Sequence, residues 1–267
     1  MSRARGGQAV RTGMGRHVLV AAAVESRKVR ASPVGRTVTV LLVGGVTLLV
    51  GALTAAALAG NPQILAQLGT VGTQQGWDLY LGVAAQITAA GGLVGFGVML
   101  SWLIGREFAD GTISALFALP ISRGQVCAGK FGAYVAWALG VSVALTLVIA
   151  LAGLALPLGP LDGAALAGLG RQLLLTVLTA GLAVPAAWVA SLARSLLAGI
   201  GAVVGLVVIA QVGVAAGTGA WLPLVAPALW AFDTGAVSGP QLAMSLTVPV
   251  LFGALTIGTW RNLQLDR

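Results

Sequence analysis

Apolar residues run along this chain in long stretches, over Thr37–Ala59, Tyr80–Ile104, Gln125–Leu151, Leu169–Leu192, Leu196–Ala216 and Leu242–Trp260. Each comes close to or exceeds the ~20 residues a helix needs to cross a ~30 Å hydrocarbon core. Short strands alternating polar and apolar positions would mark a membrane barrel, and none occur. Backbone surrounded by lipid must satisfy its own hydrogen bonds, so the pattern predicts an all-α polytopic membrane protein with six transmembrane helices.

The polar intervals divide the rest. Residues 1–15 are rich in Arg and Gly without apolar periodicity and read as a disordered basic tail. Over residues 16–33 Leu19, Ala22, Ala23, Ser26 and Val29 share one helical face, with Arg16, Arg27, Lys28 and Arg30 elsewhere. This predicts an amphipathic helix lying in the membrane interface, ended near Pro33, its cations toward anionic lipid heads. Residues 34–267 then form the six-helix transmembrane domain. Ala57-Leu58-Ala59 has the look of a signal-cleavage site, but the apolar run before it is longer than the ~7–15 residues of a signal core, so an uncleaved first span is expected. Between the fifth and sixth spans, Gly217–Gln241 carries Trp221, Pro223, Pro227, Trp230 and Pro240 and is too apolar for a free loop. A short re-entrant element before the last span is predicted, with its broken backbone buried in protein. Pro185 and Pro249 interrupt the fourth and sixth spans.

Composition agrees with a lipid solvent: 58% of residues are hydrophobic and 8% charged, and the mean hydropathy is +0.97. The net charge of +8 is explained by topology. With the N-terminus inside, nearly every Lys and Arg falls on the cytoplasmic side, Arg171 excepted, while Asp78, Asp162 and Asp233 fall in the external loops. Both termini are expected to be cytoplasmic and the protein to be multi-pass in the plasma membrane. Aromatic residues are expected at headgroup level, Trp77 and Tyr80 at one end of the second span, Trp102, Trp188 and Trp260 at inner ends of spans; Trp137, inside the third span, reads as packing. The basic tail has no aromatic interleaving and no nucleic-acid module, so nucleic acid is not an expected partner.

Chemistry is sparse. One cysteine, Cys127, permits no internal disulfide, and one histidine, His17, supports neither a metal cluster nor a Ser/His arrangement. No catalytic, cofactor-binding or metal-binding residue is assigned. Gly124 to Lys130 has the G-x-x-x-x-G-K spacing of a phosphate loop, but Phe131 stands where Ser or Thr would hold Mg²⁺ and no strand precedes it, so the chain is not expected to be an enzyme. No Asp or Glu lies in a predicted span, which disfavours proton coupling. Gly91/Gly95 and Gly201/Gly205 have small-x-x-x-small spacing suited to close helix packing. Gln86, Gln172 and Gln211 are amides expected to be buried in the spans, where they would need partners either across helices or in a transport path.

The polar island Gly105–Lys130 separates the second and third spans. Asp110 is placed to cap a helix starting at Gly111 or Thr112. Ile113, Leu116 and Phe117 occupy i, i+3, i+4, Pro120 ends the segment, and Arg123 and Lys130 return to the headgroups. From the residues alone this is either a membrane-hugging helix with basic anchors or an apolar knob for the groove of a cytoplasmic partner.

Arg106-Glu107-Phe108, Gly111-Thr112, Leu116, Pro120-Ile121-Ser122-Arg123 and Gly129-Lys130 resemble the loop of ABC-2 type permeases, the membrane subunits of ABC exporters whose ATPase is often a separate chain. The interfacial helix, six spans and re-entrant element match that family's plan over nearly all of the chain after Gly15. Ser114-Ala115-Leu116-Phe117-Ala118 departs from the leucine-rich stretch usual after Gly-Thr.

The resemblance implies a cytoplasmic coupling helix, with Glu107, Gly111, Thr112, Ile113, Leu116, Phe117, Pro120, Ser122, Arg123 and Lys130 shaping or anchoring the contact to an ATPase. It also implies a homodimer or a heterodimer with a similar permease, a separate ABC-type ATPase subunit holding ATP and Mg, and export. Gln86 and Gln211 are expected in the pathway or in packing. The rival readings are a secondary, ion-coupled transporter and a non-transporting scaffold; the cargo is left open.

Overall fold

The computed structural model of the chain describes residues 20–112 and 122–264. Among the described residues there are helices and turns and no strand. Six helices among the described residues are long and apolar enough to cross a membrane: Pro33–Leu58, Gly76–Ala109, Arg123–Gly153, Gly163–Leu192, Leu196–Ala215 and Gly239–Arg261. The all-α, six-span expectation is met, and the protein is a multi-pass membrane protein.

Several helices outrun the apolar stretches because a helix continues until something caps it, and caps are polar. Ser32 accepts from the Gly35 amide at 2.9 Å and Pro33 occupies the first turn. Pro33 thus opens the first span as well as closing the preceding helix of residues 20–31. Ser122 and Gln125 form a reciprocal capping box at the third span. Asp162 accepts from Ala165 at 2.8 Å at the start of the fourth.

The second and fourth spans form the centre of the bundle, with 56% and 61% of their apolar windows buried against 17% and 11% for the fifth and sixth. Leu197 and Val250 on the outer helices are 76% and 72% exposed, as expected where lipid is the solvent. The second and fifth spans approach closely. A Cβ added at Gly97 would overlap Val203, one at Gly105 would lie 2.8 Å from Leu196 Cα, and one at Gly199 2.5 Å from Ser101 Oγ. Gly201 and Gly205, the small-residue pair predicted from spacing, instead face open space, while Gly95 receives Leu42.

Two spans carry π-helical segments, Leu41–Gly45 and Thr88–Gly92. In the second of these Thr88 accepts from Gln172 Nε2 at 2.7 Å, so the buried amide of Gln172 serves packing between the second and fourth spans. Pro185 breaks the fourth span, whose helices end at Leu182 and resume at Pro185. Pro249 does not break the sixth: the interruption lies at Ser245–Leu246, and Pro249 sits in the first turn of Thr247–Arg261, where its missing N–H costs little.

The segment before the sixth span folds into a turn at Gly219–Trp221 and a helix at Ala226–Phe232. Val225 and Ala226 are buried, and Ser245 Oγ donates to Pro223 O at 2.9 Å. Pro227 and Ala228 share a small void with Ala89, Leu93, Leu175 and Thr179 from the middle of the second and fourth spans. Part of its apolar surface is covered by protein, while Trp221 is 69% exposed.

Trp77, Tyr80 and Trp260 lie near span ends, yet they point inward. Tyr80 donates to Ile149 O at 2.8 Å, Trp77 Nε1 to Gly159 O at 3.2 Å and Trp260 Nε1 to Ser191 Oγ at 2.9 Å, and all three side chains are buried. Hydropathy alone does not separate an interfacial ring from one whose polar atom is satisfied inside the bundle.

Candidate functional site

At the end of the bundle that carries the described termini, three helices bring ionisable side chains to one buried point. On the second span Leu103, Ile104 and Glu107 lie on the inward face; on the third Cys127, Lys130 and Tyr134 do. The helix of residues 20–31 turns Glu25 and Val29 inward. Gly129 makes the meeting possible, since a Cβ there would stand 2.6 Å from Ala21 Cβ. With Ala21 seated on that glycine, Glu25 one turn later faces Lys130.

Lys130 Nζ donates to Glu107 Oε1 at 2.8 Å, to Glu25 Oε2 at 3.1 Å and to Leu103 O at 3.1 Å. Its three N–H groups are all used. Lys28 Nζ lies 2.7 Å from Glu25 Oε1 and 3.8 Å from Glu107 Oε1, and Thr112 donates to Glu107 Oε2 at 2.5 Å. Two carboxylates meet two ammonium groups, and the cluster is neutral. Relative exposure is 0% for Lys130, 3% for Glu107 and 4% for Glu25. Charges this buried cost several kcal/mol each unless paired, so the pairing is obligatory.

The sequence places Lys130 at the headgroups beside Arg123, yet its side chain is fully buried. It lies two turns into the third span on the inward face, and the carboxylates of Glu25 and Glu107 supply what water would otherwise supply. Glu107, Thr112 and Lys130 are brought together. Glu25 and Lys28 belong with them, and sequence reasoning misses both, although Glu25 is one of only seven acidic residues and has Lys28 at i+3. That pairing inside a basic segment is the available signal.

Gly111 has φ +65°, a backbone conformation suited to glycine, just beyond the last turn of the second span. Asp110, expected to cap a helix starting at Gly111 or Thr112, is the C-cap of the second span, its carboxylate 4.0 Å from Arg106. Ile113, Leu116, Phe117 and Pro120 lie outside the described residues. Ser122 caps the third span, and Arg123 donates to Leu263 O while Arg194 donates to Gln264 O at 2.8 Å. The start of the third span and the C-terminal segment are thus tied at the same end of the bundle.

The run Gly124 to Lys130 is helical, not a loop. Its glycines serve packing: a Cβ at Gly124 would lie 3.0 Å from the Arg261 side chain, and Gly129 receives Ala21. Gln86 and Gln211 lie well away from the ion pairs. They line a cavity of about 380 Å³ with Gln67 and Phe232, and Gln86 Nε2 donates to Leu68 O at 3.2 Å.

The helix of residues 20–31 packs on the third span through Ala21 and Ala22, against Gly129 and Gly132. Of its predicted apolar face, Val29 is buried but Ala23 is exposed, and Glu25 takes the inward position.

A family model described as "ABC-2 family transporter protein" matches residues 23–211. The match begins beside Glu25, runs through most of the fifth span and encloses every member of the ion-pair cluster. No curated protein matches the chain. The chain belongs to the ABC-2 transporter family, as a multi-pass membrane permease of an ABC transporter.

Proposed function

We propose that this permease works as a dimer, with itself or a similar chain, on two copies of a separate ATPase subunit, and that it exports a substrate across the cytoplasmic membrane with both termini in the cytoplasm. ATP and Mg belong to that partner. The segment Thr112–Leu119 is the coupling element, with Ile113, Leu116 and Phe117 as its apolar knob.

The observation that carries this reading is the buried ion-pair cluster at the root of that segment. Thr112 is held by Glu107, and Glu107 by Lys130. A push on the coupling element therefore reaches the second span through Glu107, the third through Lys130 and the N-terminal helix through Glu25. Separating opposite charges in a low-dielectric site is costly, so the joint transmits displacement as a unit instead of flexing. The helices moved include the second span, which packs on the fifth through Gly97 and Gly105. The cavity bearing Gln86 and Gln211 sits between these two spans and supplies amides for a cargo path.

Co-purification with an ABC-type ATPase, sought first among the neighbouring reading frames, then reconstitution of both in vesicles, tests the proposal. Nucleotide-dependent transport that needs both chains is expected. Transport by the purified permease alone without nucleotide would replace the proposal with a secondary transporter; a stable complex that moves no compound would replace it with a scaffold.

A further inference from the structure

A second crevice, about 720 Å³ in volume, lies between the N-terminal helix, the first span and the third span. One wall is built from Ala133, Ala136, Gly140 and Ala144 of the third span, and its mouth holds Arg30 and Arg36. The proposed coupling mechanism makes no use of it.

Small residues at i, i+3, i+7 and i+11 leave a straight channel along that face of the third span, and a Cβ at Gly140 would meet nothing within 4 Å. From Ala133 to Ala144 the channel is about 16 Å long at 1.5 Å per residue, about half of a ~30 Å hydrocarbon core. Its other polar side chains are internally satisfied. Ser26 donates to Ala22 O at 2.8 Å, Thr39 to Gly35 O at 2.7 Å, and Trp137 Nε1 to Thr39 Oγ1 at 2.9 Å. Arg30 Nε has a long bond of 3.4 Å to Ser26 O. Among the described residues neither Arg30 nor Arg36 pairs with a carboxylate. The nearest acid on the same helix, Glu25, is turned to the opposite side and neutralised by Lys28 and Lys130.

We infer that this crevice is a binding site for one anionic phospholipid, its phosphate on Arg30 and Arg36 and an acyl chain along Ala133–Ala144. The length is that of one leaflet, the wall is apolar, and the open donors are cationic and at the mouth alone. Guanidinium groups match phosphate in shape and charge, and basic pockets between spans favour anionic headgroups. A soluble anion would have no use for the apolar channel, and the headgroup cation of a zwitterionic lipid would stand against the two arginines. The lipid would bridge the N-terminal helix, which holds Glu25, to the third span, which holds Lys130.

The test is native mass spectrometry on the full-length purified chain, loaded with phosphatidylglycerol or with phosphatidylcholine of the same acyl chains. Wild type is expected to retain phosphatidylglycerol preferentially. R30Q/R36Q should lower that retention about thirtyfold, at ~1 kcal/mol per arginine, to the phosphatidylcholine level. Gly140→Leu, with both arginines intact, should reduce retention by filling the channel. R27Q removes one positive charge from an exposed residue outside the crevice and should leave retention unchanged; gel filtration checks that each variant is folded. Equal retention of the two lipids, or equal loss in R27Q and R30Q/R36Q, overturns the site. Displacement of phosphatidylglycerol by glycerophosphoglycerol as effective as by a short-chain phosphatidylglycerol would show a free-anion site and overturn the lipid.

Discussion

Lys130 Nζ lies 2.8 Å from Glu107 Oε1 inside the bundle, joining residues 23 positions apart on neighbouring spans with almost no solvent contact for either side chain. The intervening chain is the polar island that carries the family resemblance. The pair is therefore a clasp across the base of that island, and Glu25 fastens the N-terminal helix to the same lysine.

Removing Lys130 alone should be far worse than neutralising Lys130, Glu25 and Glu107 together. Lys130→Ala leaves two buried carboxylates with only the partly exposed Lys28 to offset them and is expected to cost about 3–5 kcal/mol, read as a large drop in thermal unfolding midpoint in detergent. Lys130→Met combined with Glu25→Gln and Glu107→Gln should recover most of that loss. A single Lys130→Ala variant that melts like wild type would remove the cluster as a structural joint.

Phe117→Asp tests the proposed coupling. The variant should insert in the membrane and run as wild type in gel filtration, while nucleotide hydrolysis by the partner continues and transport falls to background. Unaltered transport by Phe117→Asp would contradict the assignment of Ile113, Leu116 and Phe117 as the gripping surface.

Two glycine positions should respond in opposite ways. A side chain at Gly97 meets Val203 across a tight helix contact, so Gly97→Ala is expected to destabilise the fold by about 1–3 kcal/mol. Gly201 faces open space inside a helix, so Gly201→Ala should raise stability by about 0.4–1 kcal/mol. Parallel melting curves of the two variants decide this; equal behaviour would refute the packing of the second span on the fifth.

The amide of Gln172 should be coupled to Thr88. A double-mutant cycle with Gln172→Leu and Thr88→Val is expected to give an interaction energy of about 0.6 kcal/mol and at most about 1.7 kcal/mol, as for polar contacts between membrane helices. Additive effects would show that the 2.7 Å bond contributes nothing.

Hydropathy alone determined the class of this protein, because six stretches that must avoid water leave only a helical solution in lipid. The helix ends were less legible, since Ser32, Ser122 and Asp162 are polar caps set beyond the apolar runs, so that the fourth span opens at Gly163 where hydropathy begins it at Leu169. The loop residues Glu107, Gly111 and Thr112 were legible through resemblance. What the sequence did not disclose was direction. Periodicity places Lys130 on a helix but does not say whether that face meets lipid heads or two carboxylates from other helices. The same holds for Trp260, which reads as an interfacial ring until Ser191 is seen to accept its N–H. Glu25 was the costliest omission, for a lone acid among cations reads as a solvated face unless a partner 105 residues away is known. Burial of charge is a property of three helices meeting, governed by desolvation and pairing in a shared low-dielectric space, and only the tertiary structure decides which residues meet there.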